Sequence, residues 1–278
     1  MRISIAEHAG FCFGVERALR LAQKAIGEGR EVLSLGPLIH NRQVVERLKR
    51  RGLRVVESLE GVHGATLIIR THGALPVLLD EARARGFDVI DATCPFVKRA
   101  QSAAAAMLDE GYAVVVVGDR QHPEAAAIVA HTGGEAVIVE DADEVERLDL
   151  PRKVGVVAQT TQRVENVASV VAALLPRCEE LRIANTICDA TASRQEAAAR
   201  LADEVDLMIV IGGFHSANTR RLAEICASRG TPTRHIECAD DIDPAWLTAV
   251  EHVGLTAGAS TPDSALAEVR ARIEELST

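Results

Sequence analysis

Three cysteines occupy the same place in a recurring pattern, and that register limits the folds open to the chain. "ISIAEHAGFC" ends at Cys12, "FDVIDATC" at Cys94 and "LRIANTIC" at Cys188, each a short apolar run followed by a helical one. His40 lies 28 residues after Cys12, His122 lies 28 after Cys94, and Ser216 lies 28 after Cys188. Two positions further on stand Arg42, Glu124 and Asn218. A second set of strand ends carries "RTHG" (70–73), "AQTTQ" (158–162) and "TAGAST" (256–261). Self-similarity at a fixed spacing marks a supersecondary unit used more than once.

Strand-length apolar runs alternate with helical segments throughout, the pattern of α/β domains with mainly parallel sheets. Helices are expected at about 14–28, 41–51, 75–85, 95–110, 123–131, 163–175, 191–204, 217–229 and 263–275. Strands are expected at about 2–5, 31–35, 66–70, 87–90, 113–117, 136–139, 153–157, 181–184, 207–211, 233–236 and 252–256. The repeat divides the chain into three related α/β units: 14–94, 95–187, and 188–278 together with 1–13. In that scheme the N-terminal strand follows the last helix and packs with the C-terminal unit. Open α/β sheets bind ligands at the C-terminal ends of their strands. Three units around a pseudo-threefold axis would aim Cys12, Cys94 and Cys188 at one centre.

Composition removes several classes of function. A formal charge of −9 argues against nucleic acid as a partner, because phosphate backbones are bound by an excess of Lys and Arg. The basic run "RLKRRGLR" (47–54) is balanced by acidic neighbours and reads as a solvated helix face. The longest apolar runs, such as "AVVVVG" at 113–118, are too short to span a membrane. "MRISIAEHAGFC" lacks the pattern of a secretory signal, so a cytoplasmic location is expected. Six cysteines without a CxxC pair fit neither a disulfide framework nor a zinc ribbon. GxxxxGK[ST] and GxGxxG are both missing, so nucleotide binding is not indicated.

Three thiolates from three loops suit a soft metal or an iron–sulfur cluster. A lone cysteine is usually a small buried residue, but three in register point to a shared ligand. Cys178, Cys226 and Cys238 fall outside the register and read as structural. The surrounding loops carry His40, Asn41, His72, His122, Glu124, Thr160, Ser216, Asn218 and Ser260, several of them just before a helix. Imidazole, hydroxyl and amide groups at helix N-termini suit a phosphate or diphosphate. Taken singly, His40 and Ser216 could be helix caps, Asn218 a turn residue and Glu124 a complement to a helix dipole. His8, His63, His131, His235 and His252 lack the register and read as surface or packing residues.

"GFCFGVERAL", "GPLIHNRQVVERL", "RTHG", "DATCPFV", "QHPE", "QTTQ", "NTICDATASRQEA", "SANTRRLAE" and "GLTAGASTPD" together resemble the LytB family, the hydroxymethylbutenyl diphosphate reductases. The resemblance runs from Cys12 to the final helix. It implies a trefoil of three α/β units around a four-iron four-sulfur (4Fe-4S) cluster, with Cys12, Cys94 and Cys188 as ligands and one iron left open. By the same resemblance His40, His72, His122, Ser216, Asn218 and Ser260 form the diphosphate pocket. Thr160 and Glu124 stand beside the substrate hydroxyl. The implied activity is reductive dehydroxylation of an allylic diphosphate to isopentenyl and dimethylallyl diphosphate, the last step of the non-mevalonate pathway, with Glu124 supplying a proton through Thr160. No flavin or ferredoxin motif is present, so a separate ferredoxin or flavodoxin is the expected electron donor. Ala217 stands where many members have a second Ser, and Ala158 where relatives often have Thr.

Three other readings remain at this stage. They are a three-Cys zinc hydrolase or lyase, a non-catalytic sensor holding a cluster and a phosphorylated metabolite, and a sugar-phosphate-binding protein with structural cysteines. Metal content and turnover separate them.

Overall fold

The computed structural model describes residues 1–277. In chain order, β1 (Arg2–Ile5) and α1 (Phe13–Gly27) precede three runs of elements built alike. The first is β2 (Val32–Leu35), α2 (Arg42–Arg50), β3 (Leu53–Val56), β4 (Thr66–Ile69), α3 (Pro76–Ala84), β5 (Asp88–Asp91) and α4 (Pro95–Asp109). The second is β6 (Ala113–Val117), α5 (Pro123–Ala130), β7 (Val137–Val139), β8 (Lys153–Ala158), α6 (Val164–Leu174), β9 (Glu180–Ile183) and α7 (Asp189–Ala202). The third is β10 (Leu207–Ile211), α8 (Ala217–Ser228), β11 (Thr233–Ile236), β12 (His252–Ala257) and α9 (Asp263–Leu276). It stops one strand and one helix short of the others, and β1 and α1 are the missing pair.

The strands form three four-stranded sheets of one topology, in the orders β3-β2-β4-β5, β7-β6-β8-β9 and β11-β10-β12-β1. Every pairing is parallel, with Leu33 opposite Leu67, Val115 opposite Val156 and Ile209 opposite Leu255 on the inner strands. The N-terminal strand takes the place expected for it, with Ile3 opposite Val253.

Contacts divide the chain into two compact units. One comprises Met1–Glu16, Ile39–Arg47 and the chain from Asp189 onward; the other comprises Arg17–Leu38 and Leu48–Cys188. The first contains the sheet built on β10. Leu207, Ile209 and Ile211 face one side of it, packing with Val269 and Ile273 of α9, while Met208 and Val210 face the other with Ala198, Leu201 and Leu222. A strand covered on both faces reads as an unbroken apolar run, as "LMIVI" does. The second unit contains the other two sheets. Val115, Val117 and Val156 pack with Val170 and Leu174 of α6; Val114, Val116 and Val157 pack with Ala100, Ala104 and Met107 of α4. Leu33, Leu67 and Ile69 pack with Ala82 of α3 and with Phe87.

The structure departs from the sequence expectation at one strand. The basic run 47–54 is not one helix face: α2 ends at Arg50, Gly52 turns at φ 115°, and β3 begins at Leu53. β3 is an edge strand, where a charged residue such as the exposed Arg54 discourages pairing with other chains. Its alternation is short, and only the burial of Leu53 shows which way it faces. Four short 3₁₀ turns, at Asp143–Arg147, Leu175–Arg177, Ala239–Asp241 and Pro244–Leu247, were likewise beyond the apolar periodicity.

Ile209 is fully buried on an inner strand, whereas Ile5 on the edge strand is 46 % exposed. Ile209→Ala is expected to cost about 2–5 kcal/mol in urea unfolding, and Ile5→Ala less than about 1 kcal/mol.

Candidate active site

Each of the three register cysteines stands where the fourth strand of a sheet gives way to a helix: Cys12 between β1 and α1, Cys94 between β5 and α4, Cys188 between β9 and α7. One hydrogen bond recurs at all three. The Cys12 N–H donates to the Ala259 carbonyl at 3.1 Å, that of Cys94 to Thr71 at 3.0 Å, and that of Cys188 to Thr160 at 3.1 Å. The acceptors lie just beyond β12, β4 and β8, in the "TAGAST", "RTHG" and "AQTTQ" loops. The carbonyls of Cys12 and Cys94 accept from Glu16 and Lys98 at 3.0 Å, opening the helices that follow. The main chain at these two residues is thereby held from both sides, which fixes where each Cα–Cβ bond points.

Cys94 is extended at φ −60° and ψ 134°, its side chain makes no cap hydrogen bond, and Pro95 begins the helix. Cys12, Cys94 and Cys188 are all partly exposed. Cys226, outside the register, is buried on α8 and its thiol is pushed up to about 12 by desolvation, which makes it inert.

Within the Arg17–Leu38 and Leu48–Cys188 unit, four of the expected polar residues come together in two pairs. The rings of His72 and His122 meet edge to face, with centroids 5.3 Å apart. His122 caps α5: its Nδ1 accepts the Glu124 N–H at 3.2 Å, so the neutral ring carries its proton on Nε2. Glu124 is buried, and its carboxylate accepts two hydrogen bonds from Thr160, from the N–H at 2.6 Å and from Oγ1 at 3.0 Å. Desolvation pushes the Glu124 carboxyl up to about 7, assisted by the charge of Asp119 and opposed by the two Thr160 hydrogen bonds. A rise from 4.5 to about 7 means that keeping this group ionised in the fold costs about 3 kcal/mol. Thr160 thus does two things: its side chain and N–H hold Glu124, and its carbonyl holds Cys188.

In the other unit, Ser260 Oγ donates to the His40 carbonyl at 2.9 Å. A Cβ on Gly213 would lie 2.8 Å from that same carbonyl, so only glycine lets the loop before α8 approach it. Asn41 Oδ1 accepts the Val44 N–H at 3.0 Å and caps α2. Ser216 caps α8, its Oγ accepting from the Thr219 N–H at 3.3 Å. Asn218 is only 3 % exposed, yet neither its Oδ1 nor its Nδ2 has a hydrogen-bond partner among the described residues. Burying an amide this way costs roughly 1–3 kcal/mol per unmet group. Ala217, also buried, contributes no polar atom at the helix start.

Gln159 was given no task by sequence reasoning, although it lies inside the "QTTQ" motif. It is wholly buried; its Oε1 accepts the Asp119 N–H at 2.8 Å and its Nε2 donates to Thr161 Oγ1 at 3.0 Å. It ties the loop carrying Thr160 to the one leading to His122 and Glu124. A buried Gln beside a strand end was the available signal, and apolar periodicity does not register it.

Comparison with known proteins identifies the family. The LytB protein family matches residues 3–274. A 4-hydroxy-3-methylbut-2-enyl diphosphate reductase of Pelobacter propionicus is 50% identical over 276 residues, covering 99% of both chains. One from Geobacter sulfurreducens is 50% identical over 275 residues, covering 99% of this chain and 98% of its own. Among solved structures, an (E)-4-hydroxy-3-methyl-but-2-enyl diphosphate reductase, the terminal enzyme of the non-mevalonate pathway, is 44% identical with a TM-score of 0.72, covering 99% of this chain and 100% of its own. The reductase from Plasmodium falciparum is 27% identical with a TM-score of 0.94, covering all of this chain and 88% of its own. Three parallel sheets of one topology, cysteines in register and full-length identity near one half make the chain a member of the LytB protein family.

Proposed function

We infer that this chain reduces 4-hydroxy-3-methylbut-2-enyl diphosphate to isopentenyl and dimethylallyl diphosphate, the activity for which its half-identical relatives are named. The observation that carries the reading is the buried Glu124 carboxyl, poised near neutrality and bonded to Thr160. An acid of that strength in a dry site is what the release of an allylic hydroxyl as water requires. Two electrons and two protons enter: one proton goes with the hydroxyl, and the other adds to either end of the allylic carbons. In this reading Glu124 gives the first proton through Thr160 Oγ1. His122, with its proton on Nε2, together with His40, His72, Ser216, Asn218 and Ser260, binds the diphosphate. The unmet Asn218 amide supports that role.

Cys12, Cys94 and Cys188 would hold a 4Fe-4S cluster with one iron lacking a protein ligand. Three partly exposed sulfurs at helix starts, each on a main chain anchored by the same hydrogen bond, fit that group. When bound, such a cluster supplies electrons one at a time and Lewis acidity. The electrons come from a separate ferredoxin or flavodoxin. The common strand order of the sheets supports three repeat units, 14–94, 95–187 and 188–278 with 1–13. No helix among the described residues is long and apolar enough to cross a membrane, and a reducing, cytoplasmic setting suits the thiolates.

The test is anaerobic turnover of the allylic diphosphate with a reduced low-potential donor. Glu124→Gln keeps the shape and one acceptor oxygen for Thr160, reverses the second bond so that its amide donates to Thr160 Oγ1, and has no acid proton to give. It is expected to retain metal content and substrate binding while losing at least about 100-fold in turnover. An active variant would remove Glu124 from the mechanism.

The pH dependence carries a definite sign. Glu124 must be protonated to act, so turnover should fall as pH rises through about 7. Because its folded value is raised, the group favours the fold most below 4.5 and loses that contribution as pH rises through about 7. Chemical unfolding of wild type against Glu124→Gln from pH 4 to about 8 should show that loss in wild type only.

A further inference from the structure

The unit made of Arg17–Leu38 and Leu48–Cys188 contains a cavity of about 200 Å³ that the proposed chemistry does not use. It lies among β4, the loop after it, α3 and the first turn of α5, walled by hydrocarbon from Leu35, Leu67, Ile69, Leu75, Leu78 and Pro123. Ala126, an exposed residue of α5, stands among its lining residues. One lining side chain is charged, Arg70 at the end of β4. Its guanidinium is half-buried and makes no hydrogen bond or ion pair with any described residue. Burial lowers its pKa despite the charge of Glu57, which acts in the opposite direction. A cationic fork held partly out of water without an acceptor gains most from an anion placed against it.

An apolar cavity of about 150 Å³ accommodates a benzene ring, so about 200 Å³ has room for roughly eight carbons. We propose that this cavity binds a short hydrocarbon chain, of up to roughly eight carbons, ending in an anionic group that pairs with Arg70. The hydrocarbon covers the leucine and isoleucine walls, and the head takes hydrogen bonds that no protein group takes. The site has a route to the histidines, because its wall residues Gly73 and Pro123 are the chain neighbours of His72 and His122. An occupant therefore bears directly on the two loops that bring those rings together.

The test is isothermal titration of the full-length chain with two probes, isopentenyl diphosphate and hexanoate, which share the chemistry but differ in the head group. Arg70→Met removes the cation, and Ala126→Phe closes the cavity from an exposed helical position where the larger side chain has room. At least one probe should bind the wild type, and both variants should weaken that binding by about tenfold or more. Preference for the diphosphate assigns an isoprenoid source, and preference for hexanoate a carboxylate one. Failure of both probes to bind, or binding that neither variant alters, would overturn the proposal. The functional reading fails separately, if the anaerobic, cluster-loaded chain does not turn over the allylic diphosphate.

Discussion

The structure depends on a single backbone hydrogen bond made three times, from the N–H of a cysteine to a carbonyl in the loop beyond the neighbouring strand. It joins two of the three places in each repeat where chemistry-bearing residues gather, the third being the start of the helix that carries or follows His40, His122 and Glu124, or Ser216 and Asn218. One is the turn between the fourth strand and its helix, which carries the sulfur. The other is the loop after the third strand, which carries His72, Thr160 or Ser260. Each partner of the bond is main chain, so its geometry does not depend on which side chain sits there. Repetition of a scaffold with divergence of its side chains follows naturally: the sulfurs stay alike, while the acceptor loops offer imidazole, hydroxyl and amide.

Beside this scaffold, burial converts an ordinary carboxyl into a usable acid. Glu124 is desolvated at the start of α5, and two hydrogen bonds from Thr160 keep the shift moderate. Without them the carboxyl would sit further above neutrality and give up its proton less readily. With more donors it would be ionised at pH 7 and have no proton to give. Gln159 keeps this balance in place by bracing the Asp119 backbone against the strand end that holds Thr160. The cost, about 3 kcal/mol at neutral pH, is carried by sheets with apolar residues packed on both faces.

Much of this could be read from the order of residues. Strands such as "AVVVV" and "LMIVI" declare themselves because both faces are covered, and α4 and α5 begin where proline is tolerated, at Pro95 and Pro123. The pairing of β1 with β12 followed from the repeat, since the third run lacked its last strand. β3 escaped notice because an edge strand of four residues carries little periodicity and follows a basic helix end. The cysteine register was visible; the hydrogen bond behind it was not, because main-chain partners leave no mark in side-chain identity. Likewise the family resemblance put Glu124 and Thr160 together, but the degree of burial that sets the acidity of Glu124 comes only from packing.

The most direct test of the account is iron and acid-labile sulfide per chain in anaerobically purified protein, for wild type and for Cys94→Ser. The account predicts about four of each in wild type, with broad brown absorption, and loss of most of both in the variant. Zinc in place of iron, sulfide near zero, or a full cluster retained by Cys94→Ser would contradict it.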